Sequence, residues 1–342
     1  MCKIRIYPES KDNPYVENFF QVAYDKGFCV TGNSIFELIF STDILHIQWP
    51  EAWRWEKKPK RLMMAGYFLF LPLLKFLFQI KVINTVHNLK PHSKQSNFAH
   101  WLYVRTLKQS EGFVHLTDSG KKEFLIEHPW ASNRKHATIP HPDYARQLSS
   151  LNRDEARKKL GLSQSETRIA YFGYIKPYKG VDRLIETFLK LKISPESASL
   201  WVGGNTSEGM KKTLIDLTCD SSNIQLQLEY VAEDELETQV KAADWVVLPY
   251  FSGLNSGAAV YALSCGSRAV VPDTSVMREL DKLTGGGSFK YFRQADFTKV
   301  LSSVFTWSGG LSSTELNLDA LGHQRIGKLY LDFVNLVTGR NQ

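Results

Sequence analysis

Only four cysteines, Cys2, Cys29, Cys219 and Cys265, occur in 342 residues, and no two of them have CxxC spacing. That scarcity excludes a disulfide scaffold and points to a reducing cytoplasm without a zinc site. No cleavable signal peptide opens the chain, and no low-complexity tract or short-period repeat interrupts it. The triplet Asp-x-Asp is missing, so no obvious pair of carboxylates offers itself to a metal. A regular basic helix, an RNA-binding motif and zinc-finger spacing are missing too, and specific nucleic-acid binding is not expected. The longest apolar stretch, 57–80 (KKPKRLMMAGYFLFLPLLKFLFQI), is broken by Pro72, Lys75 and Gln79.

What is present describes an ordinary globular protein, 43% hydrophobic and 23% charged. Its length exceeds one core, which predicts two domains. Lys and Arg outnumber Asp and Glu by 42 to 35, a net charge of +7 that suits an anionic partner such as a nucleotide or an acidic lipid.

In the N-terminal half, apolar strands at 3–7, 27–30, 44–48, 81–86, 112–116 and 136–139 alternate with helical stretches, the pattern of a parallel α/β sheet. Each strand leads into a polar or aromatic cluster, and such clusters line the carboxyl edge where open sheets bind ligands. A polar helix near 149–161 opens a second domain, with strands at 168–174, 199–202, 224–230, 244–250 and 267–271. The domains are thus 1–146 and 147–320, and an apolar-periodic helix at about 321–342 can pack back on the first.

The stretch 242–271 organises the second half. Its apolar strand, a loop at 251–257 rich in Gly, Ser and Asn, and a small-residue helix from Ala258 place free backbone N–H groups at a helix start. That is a seat for phosphate; an ordinary turn has the same composition.

Together YFGYIKPYKGVDRLIETF (171–188), VGGN (202–205), EYVAEDEL (229–236) and SGLNSGAAVYALSCGSRAVVP (252–272) resemble the GT-B glycosyltransferases. The resemblance implies two Rossmann-like domains facing a cleft, the first binding the acceptor and the second a nucleotide-sugar. HIQWPE (46–51), NTVHNLKPH (84–92) and NPYVENFF (13–20) are similar to bacterial exopolysaccharide enzymes that extend lipid-linked oligosaccharides. The family's retaining members carry two glutamates around the phosphate loop, where this chain has Gly253 and Tyr261, and an arginine where it has Tyr174. Those departures favour inverting transfer, with a retaining enzyme or a non-catalytic binding protein of the same fold as alternatives.

Under this reading the donor site comprises Gly173, Tyr174, Lys176, Lys179, Asn255, Ser256 and Gly257, with Val231 meeting the nucleobase through its backbone. Lysines and amides would neutralise the diphosphate without a metal or other cofactor. His87, after the strand INTV, takes the family's place against the donor sugar, with Asn88, His92 and Trp49 on the acceptor side. Glu51, Asp118 and Glu9 are candidates for the acceptor base: Glu51 for its tryptophan neighbours Trp49 and Trp53, Asp118 with the competing role of N-cap for a helix at 119–127.

For 57–80 two readings stay open. One is a core helix. The other is an in-plane helix pressing Phe68, Leu69 and Phe76 into a bilayer, with Lys57, Lys58, Lys60 and Arg61 on anionic headgroups. The expected location is cytoplasmic, and the second reading adds a peripheral position at the inner face of the membrane.

Overall fold

A computed structural model describes residues 3–8, 14–25, 27–30, 34–89, 96–250, 256–306 and 316–340. Two units form, one from Met1–Pro142 with Gly253–Asn255 and Ala320–Gln342, the other from Asp143–Ser252 and Ser256–Asp319.

In the first unit β1 (Lys3–Tyr7), β2 (Cys29–Val30), β3 (Ile44–Ile47), β4 (Lys81–Val86), β5 (Gly112–His115) and β6 (Lys135–Thr138) pair in parallel, in the order β2-β1-β3-β4-β5-β6. Parallel strands are covered on both faces, which explains their unbroken apolar runs. One face packs on α1 (Pro14–Asp25) and the C-terminal helix, through Val16, Phe19, Ile326, Tyr330 and Phe333. The other carries α2 (Ile35–Phe40), α3 (Lys60–Phe78) and α4 (Asn97–Lys108) over a core of Leu38, Tyr67, Phe68, Leu71 and Leu102. Next along this face lies α5 (Asp118–Glu127), with Phe124 against Tyr103 of α4.

The second unit has β7 (Thr167–Phe172), β8 (Ala198–Gly203), β9 (Ile224–Gln227), β10 (Trp245–Val247), β11 (Arg268–Pro272) and β12 (Phe289–Phe292), all parallel, in the order β12-β11-β10-β7-β8-β9. Its helices are α6 (Arg153–Lys159), α7 (Val181–Lys190), α8 (Glu208–Thr218), α9 (Glu233–Ala242), α10 (Gly257–Ser264), α11 (Ser275–Leu283) and α12 (Phe297–Phe305), and α13 (His323–Thr338) is the C-terminal helix of the first unit. At the amino end of this sheet Arg157, fully buried, bonds Asp244 at 3.3 Å and the Ala242 carbonyl at 2.9 Å, so α6 is fastened under β10.

Several expectations are corrected. Strands β9 and β10 stop short of 230 and 250, because the polar and proline residues that follow leave the ladder; Val231 therefore lies in a loop. Strand β12 was not expected, its four residues FKYF being too short to stand out. Asp118 is not an N-cap: Thr117 caps α5, its Oγ1 accepting from Gly120 N at 2.9 Å. In α3, Phe68 belongs to the core and Leu69 is half-buried, whereas Phe76 is 75% exposed.

Three histidines of the first unit are buried as neutral rings. His46 holds Tyr330 Oη at 2.9 Å and Thr85 Oγ1 at 2.8 Å, and burial lowers its pKa to about 3. Burial, with His136 and Lys121 nearby, lowers His115 to about 3, and burial lowers His141 to about 4. The unfolded chain takes up these protons near the ordinary value of 6.5. Their contribution is therefore complete above that pH and is lost as pH falls toward 4 and 3, by up to about 1.4 kcal/mol per pH unit for each ring. Calorimetry should show a lower melting temperature at acidic than at neutral pH, and an unchanged temperature would contradict these buried neutral rings.

Candidate functional site

In the second sheet the strand order reverses between β7 and β10, and open α/β sheets bind ligands beyond the carboxyl ends at such a point. β7 is followed by Gly173, whose φ is 112°. Gly204, beyond β8, has a φ of 144°, and a Cβ there would stand 2.0 Å from the Gly173 carbonyl oxygen, so only glycine lets the two loops approach. Ile175 N donates to Asn205 O at 2.8 Å and Thr206 Oγ1 to Ile175 O at 3.1 Å, which fixes the start of the loop.

A 3-10 turn, Pro177–Lys179, follows and is closed by Gly180 with φ 67°. A Cβ on Gly180 would meet the Pro249 carbonyl oxygen at 2.8 Å, so this turn sits tightly against the loop after β10. The result is that Lys179 Nζ stands 4.0 Å from the centre of the Tyr250 ring and 5.6 Å from that of Tyr178. Burial, and then the charge of Lys176, lower the Lys179 pKa. Lys176 itself is exposed, 5.1 Å over the ring of the exposed Tyr174. Among the described residues no carboxylate pairs with either lysine. Ring faces attract an ammonium weakly, so an anion arriving here gains charge-assisted bonds.

Tyr250 continues the site. Its hydroxyl lies 2.6 Å from Ser256 Oγ, which also accepts from Ala259 N at 3.0 Å as the N-cap of α10. The Ser256 side chain is thus engaged in capping the helix start at which it was expected. The N–H groups of Gly257 and Ala258, in the first turn, have no carbonyl within the helix to meet. Asn255 lies outside the described residues, as does Gly253. Tyr261, where the retaining pattern has a glutamate, packs against Phe172 and Tyr144 at ring separations of 5.4 and 5.2 Å. Burial raises the pKa of its hydroxyl, so the phenol does not stand in for a carboxylate.

The first unit has its own small cavity at the ends of β3 and β4, about 10 Å³. Trp49, Glu51, His87 and Asn88 line it, so four of the residues singled out in the sequence come together. His87 stacks on Trp49 at 4.5 Å, meets the edge of Tyr15 at 4.9 Å, and shares a hydrogen bond of 2.9 Å between its Nε2 and Gln48 Oε1. Glu51 is 5% exposed, and its carboxylate, after burial, helps to raise the pKa of the Tyr103 phenol lining the same pocket. Gln48 Nε2 and Asn84 Nδ2 are buried without a partner among the described residues. Asp118 is exposed, accepts from Thr138 Oγ1, and does not line the pocket. Glu9 and His92 lie outside the described residues.

Sequence reasoning missed Tyr250 and Gln48. Tyr250 closes the apolar run WVVLPY and Gln48 follows β3 in HIQWPE, so strand-end position was the signal available for both.

Residues 152–296 match the glycosyl transferases group 1 family. A GDP-mannose:glycolipid 4-beta-D-mannosyltransferase of Xanthomonas campestris pv. campestris is 26% identical over 270 residues, 78% of this chain and 71% of that protein. Among solved structures, a glycosyltransferase from Rickettsia africae has a TM-score of 0.68 at 13% identity, covering 99% of both chains. HepE from Anabaena in complex with UDP-glucose has a TM-score of 0.66 at 13% identity, over 99% of this chain and 100% of that one. With both sheets and the switch-point loops in place, the chain has the GT-B fold of these glycosyltransferases, and its residues 152–296 are similar to the glycosyl transferases group 1 family.

Proposed function

We propose that this enzyme moves a hexose from a GDP- or UDP-linked sugar to a hydroxyl of a growing lipid-linked saccharide, in exopolysaccharide or related glycan synthesis. The observation that carries the reading is the half-buried Lys179 ammonium over Tyr250, unpaired with any described carboxylate, at the switch point of the second sheet. The donor diphosphate lies on Lys179, Lys176 and the first amides of α10, with the nucleobase beside Val231. The acceptor is held by the first unit. The glycolipid substrate named for the Xanthomonas relative supports the acceptor class, and the UDP-glucose in HepE supports the donor class.

In the proposed step the acceptor oxygen loses its proton to Glu51 and bonds to the anomeric carbon. The bond from that carbon to the diphosphate breaks, and its electron pair leaves with the diphosphate, stabilised by the ammonium groups and amides. His87, fixed by Trp49 and Gln48, contacts the donor sugar, with Asn88 on the acceptor side. Attack opposite the leaving group inverts the anomeric centre. Tyr261 in its aromatic slot supports inversion, and so does the relative's beta product, since an α-linked sugar nucleotide gives a β-linkage by inversion. The lysines take the part a metal plays elsewhere, so the transfer is proposed to be metal-independent.

The proposed location is peripheral, at the inner face of the cytoplasmic membrane. By length and composition α3 is apolar enough to cross a bilayer, and only 22% of its most apolar window is buried. Because it connects β3 to the adjacent β4, spanning would break the sheet. Leu62, Phe70, Leu73 and Phe76 project from it, and Phe36, Phe40 and Phe78 form a neighbouring exposed aromatic cluster. An in-plane contact with lipid covers this surface.

Lys179→Ala should raise the calorimetric dissociation constant for the nucleoside diphosphate about 10- to 100-fold, the loss of a charge-assisted bond. An unchanged constant would remove the donor assignment. Glu51→Gln should lower turnover under saturating donor by about 10²- to 10⁴-fold while donor affinity stays the same. Full activity in that variant would exclude Glu51 as the base.

A further inference from the structure

On α4 the residues Phe98, Trp101, Arg105 and Lys108 recur at helical spacing, which puts them on one face, and Phe98 and Trp101 are 51% and 47% exposed. Trp101, Arg105 and Lys108 line a depression of about 230 Å³. The Arg105 guanidinium carbon lies 5.3 Å over the Trp101 ring, and Arg105 Nε is buried without a partner among the described residues. Lys108 Nζ is 6.0 Å from the Trp130 ring, and Arg134 donates to the Lys108 carbonyl at 3.4 Å. No described carboxylate pairs with Arg105, Lys108 or Arg134, while the nearby Glu111 is taken by Lys75 at 2.7 Å.

This cationic depression belongs to the helical layer that exposes the apolar face of α3, because α3 and α4 share one core on the same side of the sheet. A soluble anion uses only the charges. A phospholipid uses both halves, its phosphate between guanidinium and ammonium and its acyl chains against Phe70, Leu73 and Phe76, with Trp101 at the boundary where indole rings settle. We infer that the Trp101–Arg105–Lys108 depression is a binding site for the phosphate of an anionic phospholipid, which orients the first unit on the bilayer. The inference rests on the peripheral location proposed above.

The test is flotation of the full chain with phosphatidylcholine vesicles, with and without phosphatidylglycerol. Arg105→Gln combined with Lys108→Gln should weaken partition onto the anionic vesicles about 30-fold, flatten its salt dependence and leave binding to neutral vesicles unchanged. Unaltered partition onto anionic vesicles would overturn the site. So would saturation of the Trp101 fluorescence by inorganic phosphate with the wild-type affinity for anionic vesicles unaffected by it, since the depression would then serve a soluble anion. Leu73→Ser with Phe76→Ser separates the two readings. Loss of binding to both vesicle types is expected; retention there together with loss in the Arg105 and Lys108 variant would sink the apolar contact and keep the phosphate site. Wild-type melting temperatures in both variants establish that the fold is intact.

Discussion

The Lys179 ammonium, 4.0 Å from the Tyr250 ring, has no described carboxylate to balance it, and the loops around it are shaped to keep it there. Gly180 allows the lysine's turn to lie against Pro249, and Gly204 allows the preceding loop to lie against Gly173. Tyr250 then hands the arrangement on to Ser256 and the start of α10. A charge half removed from water and left without a counter-ion is unfavourable, and burial accordingly lowers its pKa. Under the proposed function, binding of a diphosphate relieves that state.

The first unit solves a different problem with neutral groups. His87 is held on three sides, by Trp49, Tyr15 and Gln48, so its ring has one orientation at the end of β4. His46, deeper in the same sheet, binds the C-terminal helix to β3 and β4 through two hydroxyls. That helix returns from the far end of the chain, so the first unit is built from both ends of the sequence. The outward side of the α2, α3 and α4 layer, away from these packed rings, is left to aromatic and cationic residues.

Much of this was legible beforehand. Buried parallel strands are continuous apolar runs, so KVINTV and TRIAYF announce themselves; strand ends draw attention to His87 and Glu51, and the family resemblance to Lys179. The misses share a cause: they depend on where a side chain goes after its strand or cap. Thr117 and Asp118 are both competent caps, and only the backbone reveals that Thr117 has the extended conformation a cap requires. In α3 an apolar residue occurs at nearly every position, so composition could not tell the buried Phe68 from the exposed Phe76.

The central claim is that donor phosphate binds at the switch point of the second sheet. A crystal structure of the full chain with a nucleoside diphosphate tests it most directly. The account predicts phosphate oxygens about 3 Å from Lys179 Nζ and from the Gly257 and Ala258 amides. Phosphates resting elsewhere, with Lys179 still lying bare over Tyr250, would contradict it.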